Sequence, residues 1–144
     1  MRNKRLLGQI LVIGALAAAS FSWAQAPVPA TSPSGIQYVS GGVGLDEREA
    51  MQAQKDLYSV SLATALKRSG EYLSGVQIRI LDARSRAVLV DHTMDGPWFF
   101  AALEPGQYEV EATYERAGAA RQVRRNIIKV TSGASRRLVF HFDG

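Results

Sequence analysis

The sequence predicts an all-β domain, a seven-stranded antiparallel sandwich with one short helix on its N-terminal side. Three observations carry that expectation. Period-two alternation recurs along the chain, as in "QYEVEATYE", where Tyr108, Val110, Ala112 and Tyr114 alternate with Glu109, Glu111, Thr113 and Glu115. Turn-forming clusters separate such segments at intervals of roughly 8–12 residues. The length, 144 residues, suffices for one domain with a sizeable core.

Residues 1–24 read as a secretory signal peptide. Arg2, Lys4 and Arg5 make a charged start, Leu6 to Ala19 is almost uniformly apolar, and "SFSWAQA" follows as the cleavage region. Cleavage after Ala24 is preferred over cleavage after Ala26, which would leave the constrained Pro27 first. The apolar run is shorter than the roughly 20 residues of a spanning helix, so no stable membrane anchor is expected after cleavage. The chain has no cysteine, which excludes a lipid-modified cysteine, disulfides and thiolate metal ligands. An exported chain without disulfides fits a bacterial envelope, periplasmic or secreted, better than a eukaryotic extracellular space.

Residues 25–45 are expected to be a flexible tether with a glycine-rich end. "QAPVPATSPSG" is small, polar and proline-rich, and "IQYVSGGVG" opens like a short strand before its glycines. Residues 46–56, "DEREAMQAQKD", read as a short helix with Asp46 as N-cap and Glu49 completing a box-like pair. Ala50, Met51, Ala53 and Gln54 give it a small face. The β domain takes residues 57–144. Its first strand, residues 57–66, fits period two better than a helix: Tyr58, Val60, Leu62, Thr64 and Leu66 oppose Ser59, Ser61, Ala63 and Ala65.

Six more strands follow the turn at Lys67 to Gly70. "YLSGVQIRILD" puts Val76, Ile78 and Ile80 on one face, "ARSR" turns, and "AVLVDH" returns. After "TMDG" comes "PWFFAAL". There "EPG" punctuates the chain, because Pro105 cannot donate a ladder hydrogen bond, Gly106 suits a tight turn, and Tyr108 starts the next inward face. "RQVRRNIIKVT" and "RRLVFHF" complete the set, the last with Leu138, Phe140 and Phe142 on one face.

From "GVQIRILDARSRAVLVDHTMDGPWFFAALEPGQYEVEATY" the chain resembles the carboxypeptidase regulatory-like modules, in particular the small exported bacterial proteins that carry one. The matching features are Asp82 at a strand end, the Asp95-Gly96 turn, and Leu103, Pro105, Gly106, Tyr108 and Val110, within roughly Gly41 to Phe142. The resemblance implies a transthyretin-like (prealbumin-type) Greek-key sandwich, with a fibronectin type III domain as the fold alternative. The first hairpin of the family usually holds a glycine, and "ARSRA" has none. The same superfamily includes hydroxyisourate hydrolase, marked by a terminal Tyr-Arg-Gly-Ser; this chain ends "FHFDG" and lacks that mark.

No reactive constellation stands out. His92 and His141 are the only histidines, and no serine or carboxylate motif points at either. His92 with Asp91 and Asp95 reads as an ordinary polar turn rather than a metal site, and no cofactor is expected. "SGGVGLDE" resembles a phosphate-cradling loop, but Asp46, Glu47 and Glu49 would repel an anion there.

Charge is unevenly distributed. Removing residues 1–24 takes three of 17 basic residues and none of 13 acidic ones, leaving a net charge of +1, which argues against a nucleic-acid partner. Residues 116–142 carry Arg116, Arg121, Arg124, Arg125, Lys129, Arg136 and Arg137 and no acid. Arg121, Arg124 and Arg125 are expected to pair with Glu109, Glu111 and Glu115 across a hairpin, with Arg136 and Arg137 less clearly matched. Trp98, Phe99 and Phe100 are consecutive, so one strand face cannot bury all three; the segment 36–56 is expected to cover the outward ones. The functional expectation is a non-enzymatic exported interaction or scaffolding module of the bacterial cell envelope. Its candidate contacts are Trp98, Arg124, Arg125, Arg136 and Arg137, on an envelope protein or polysaccharide. The alternative is a carbohydrate-binding module using Trp98 and neighbouring polar side chains.

Overall fold

Nine strands, one α-helix and one 3-10 turn make up residues 25–144, which are the residues the computed structural model describes. The expected signal peptide lies outside the described residues. In chain order the elements are β1 (Ala30–Thr31), β2 (Gln37–Gly41), α1 (Gly44–Ala53), the 3-10 turn (Lys55–Leu57), β3 (Val60–Leu66), β4 (Gln77–Asp82), β5 (Val88–Thr93), β6 (Trp98–Ala101), β7 (Gly106–Tyr114), β8 (Gln122–Val130) and β9 (Arg136–Phe142).

They form a five-stranded sheet ordered β1-β2-β6-β3-β9 and a four-stranded sheet ordered β5-β4-β7-β8. The alternating apolar residues meet in one core that draws on both sheets. Leu62, Phe99, Phe140 and Phe142 come from the first, and Ile78, Ile80, Val110 and Ile128 from the second.

The count of nine corrects the expected seven, and both additional strands come from the supposed tether. The partner of residues 37–41 is remote in sequence. β2 pairs with β6 through Val39↔Phe100 and Gly41↔Trp98, and β1 then pairs with β2 through Ala30↔Tyr38. Gly96 makes the close approach possible, since a Cβ there would run into the Gly41 carbonyl. A second correction concerns direction. β9 runs parallel to β3, from Val60↔Arg136 to Leu66↔Phe142, so the chain is not antiparallel throughout. Residues 131–135 carry the chain from one sheet to the other, and β9 lands on β3 instead of on its sequence neighbour.

The helix also starts and ends two to three residues earlier than the expected 46–56. Val43, not Asp46, is the N-cap, and it makes no side-chain cap bond. Instead Glu47 reaches back from the first turn, its Oε2 accepting the N–H groups of Gly42 (3.0 Å) and Val43 (2.8 Å). Met51 is the buried residue of α1 and packs with Val39, Tyr58 and Phe100 on the outer face of the first sheet. The run Trp98-Phe99-Phe100 is therefore divided: Phe99 enters the core between the sheets, while Phe100 lies beneath the helix. The first strand of the β domain begins at Val60 because Lys55–Leu57 form the 3-10 turn, with Leu57 72% exposed.

Two turns explain the motif residues. Between β4 and β5 the glycine-free "ARSRA" puts Arg86 in the left-handed region, at φ 65°. Asp82 Oδ1 accepts the N–H groups of Arg84 (2.9 Å) and Ser85 (2.7 Å), which holds the turn. Before β7, the Tyr108 hydroxyl donates to the Glu104 carbonyl at 2.7 Å and bridges Pro105 and Gly106.

Candidate functional site

A groove opens on the outer face of the five-stranded sheet, where α1 stops short of β9. Its floor is Ser61, Leu62 and Ala63 of β3. Trp98 and Phe100 of β6 form one side, Arg137 and Leu138 of β9 the other, and Gln52 and Lys55 overhang one end. The cavity measures about 110 Å³. Its position follows from the sequence of β3. The outward residues Ser61, Ala63 and Ala65 are small, so the covering helix and the neighbouring aromatics can come close to the strand.

Trp98 is half-buried and firmly held. Its ring stacks on Phe100 at 6.1 Å and 24°, and meets Tyr72 edge-on at 6.5 Å and 88°. Gly42, at φ +89°, backs onto it: a Cβ there would lie 3.1 Å from Trp98 Cβ and Cγ. Three neighbours thus occupy much of the indole and leave less of it for stacking on a ligand.

The groove brings together Trp98 and Arg137 and excludes the other candidates. Arg125 lies on the outer face of the four-stranded sheet, its Nε 2.8 Å from Glu111 and 3.8 Å from Glu109. Arg124 does not join it there, which corrects the expected pairing. Residue alternation places Arg124 opposite Ala112, and its guanidinium instead reaches the Asp143 carboxylate (3.2 Å), the His141 carbonyl (3.1 Å) and the face of Phe142 (5.5 Å). The glutamates also take partners from outside the basic block. Arg86 binds Glu109 with two hydrogen bonds (2.9 and 3.1 Å), and Arg79 lies 3.5 Å from Glu111. Arg86 holds the Glu109 carboxyl below its ordinary pKa, and the Arg84 and Ser85 N–H groups do the same for Asp82.

Arg136 and Arg137 are exposed, and among the described residues neither has a carboxylate within ion-pair distance; nor does the half-buried Lys55, nor do Arg48, Arg68, Arg84, Arg116 and Lys129. Among the described residues, the charged ones lining the groove are Lys55 and Arg137, both cationic and without an ion-pair partner.

The remaining motifs resolve into structure. The amides of the glycine loop are taken by Glu47, which fills the place an anion would need. His92 Nε2 lies 3.1 Å from Asp95, while Asp91 turns away to Gln77 and Arg79, so the loop trio does not converge. Among the described residues there is no group of three His, Asp or Glu side chains placed to hold a metal. Pro105, Gly106 and Tyr108 serve the turn before β7 and also border a broader hollow of about 600 Å³ through Pro105. That hollow lies between the 3-10 turn and loop 131–135, with Asp56, Glu104, Ser132 and Ser135 on its wall. It is larger than the groove, but loop ends line it and it holds no cationic group, so the groove is the better-defined site.

Sequence reasoning missed Gln52, Lys55 and Ser61. The signal for Ser61 was present in the small-residue alternation, which marks a face approached closely by something else. Nothing local placed Lys55 above it. Comparison with family models, with characterised proteins and with solved structures finds no match for this chain.

Proposed function

We propose that this chain is a non-enzymatic interaction or scaffolding module of the bacterial cell envelope, exported to the periplasm or beyond, and that it docks a partner through the groove between α1 and β9. The observation that carries the reading is the lining of that groove: Lys55 and Arg137 border a formed cavity together, with no carboxylate in its described lining and no ion pair to either among the described residues. Export is supported by the layout of residues 1–24. The finer fold reading is a carboxypeptidase regulatory-like module with a transthyretin-like Greek-key sandwich, to which β1, β2 and α1 are added. Two sheets around one core and the Pro105-Gly106-Tyr108 turn support it.

A second reading, carbohydrate binding, rests on Trp98 lining the same groove. One experiment separates the two: co-sedimentation with isolated bacterial envelopes, either intact or digested with protease. Binding lost on digestion and in Arg137→Ala supports a protein partner. Binding that survives digestion and moderate salt but disappears in Trp98→Ala supports a polysaccharide. Binding unchanged in both variants overturns the groove as the docking face.

A further inference from the structure

We infer that the inner end of the groove is a socket for a single carboxylate side chain of an extended protein segment, one with an acidic residue followed two positions later by an apolar one. This rests on the docking face proposed above and names what that face recognises.

Ser61 is the first ground. It is 8% exposed and lines the groove floor, yet its hydroxyl has no hydrogen-bond partner among the described residues. Its neighbours are satisfied: Ser59 Oγ donates to the Leu103 carbonyl and accepts the Leu103 N–H, both at 2.8 Å, and Thr64 Oγ1 donates to the Leu73 carbonyl at 2.7 Å. Among the described residues no fully enclosed side-chain polar atom lacks a partner, so the Ser61 hydroxyl is open to the groove and to whatever enters it. A donor on the floor, flanked by Lys55 and Arg137 and with the Gln52 amide at the rim, matches the acceptor-only chemistry of a carboxylate.

Size and shape select the source. A cavity of about 110 Å³ is well below the roughly 300–1,000 Å³ of sites that take small molecules whole, so it fits one side chain of something larger. Trp98 and Phe100 offer the methylenes of that side chain an apolar wall. The engaged indole is a poor platform for a sugar ring.

Register supplies the second position. Arg137 and Val139 lie two apart on β9, opposite Ser61 and Ala63, and Val139 is 46% exposed. Residues two apart share a strand face, so an extended segment laid along β9 repeats that spacing. Its acidic residue meets Arg137 and Ser61, and its apolar residue meets Val139. A segment of this kind anchors by one buried contact and gains specificity from the next.

The test is an NMR titration of the ¹⁵N-labelled protein with an extended hexapeptide, acetyl-Thr-Thr-Glu-Thr-Val-Thr-amide, and with its glutamine counterpart. The expected result is shift changes at the amides of Ser61, Ala63 and Val139 and at the Trp98 indole N–H. The glutamine peptide is expected to bind about tenfold more weakly, as befits loss of charge-assisted hydrogen bonds. Ser61→Ala, which removes a hydroxyl the fold does not use, should weaken the glutamate peptide several-fold and leave the melting temperature unchanged. Equal affinity for the two peptides, shift changes away from the groove, or no shift change at millimolar peptide each overturn the socket. If envelope binding still depends on Arg137 after such a result, the docking face stands and only the carboxylate assignment falls.

Discussion

The Tyr108 hydroxyl donates to the Glu104 carbonyl oxygen at 2.7 Å, tying the start of β7 to the residue before Pro105. Tyr108→Phe keeps the ring in the core and removes only that bond. The expected cost is about 1 kcal/mol in denaturant unfolding, since water can reach the exposed Glu104.

Burial also raises the pKa of Tyr108, and of Tyr58 beneath α1. A phenol whose folded value lies above its unfolded value of 10.0 contributes stability that is present below pH 10 and lost as pH rises through the folded value. Spectrophotometric titration should show Tyr58 and Tyr108 ionising above the ordinary phenol value, with alkaline unfolding accompanying them.

Asp82 and Glu109 have the opposite sign. Both are held below their ordinary values, Asp82 first by the Ser85 and Arg84 N–H groups and Glu109 first by its hydrogen bonds to Arg86. Their contribution is present above the usual carboxylate range and lost as pH falls through the lower folded values. NMR titration of the two carboxyl groups should place each below its ordinary value, and the β4–β5 turn should loosen as they protonate.

Arg86 carries two opposing effects, a positive φ and a paired guanidinium. Arg86→Ala loses the pair and keeps the backbone strain, whereas Arg86→Gly loses the pair and relieves the strain. The alanine variant should therefore melt a few degrees below the glycine variant.

Met51→Ala tests how α1 is held. Met51 is the one buried side chain of the helix, set against Val39, Tyr58 and Phe100. Its truncation should cost roughly 2–4 kcal/mol. Hydrogen exchange should rise first in α1 and β2, ahead of the core strands.

Legibility in the sequence followed the range of the interaction that decides each feature. The inward faces of β4, β7 and β9 could be read because alternation is a property of consecutive residues: Ile78 and Ile80, Tyr108 and Val110, Leu138 and Phe140 are all buried. The strand-like opening of "IQYVSGGVG" was legible, but its place in the sheet was not, because β2 is set by pairing with β6, some 60 residues away. Arg124 was misplaced for a related reason. Its charge suggested the glutamates, but residue parity put it on the other face, where Asp143 was waiting.

The sequence by itself determined that the domain is mostly β, where its turns fall, and which side chains could not all be buried together, as in Trp98-Phe99-Phe100. Those outcomes rest on the two-residue period of a strand and on the backbone limits of proline and glycine, both local. Tertiary structure alone decided that β9 runs parallel beside β3, that α1 covers Phe100 but stops short of Ser61, and that Lys55 and Arg137 share one groove without a carboxylate. These depend on which distant segments pair, and a pairing between residues 61 and 137 leaves no trace in the neighbours of either.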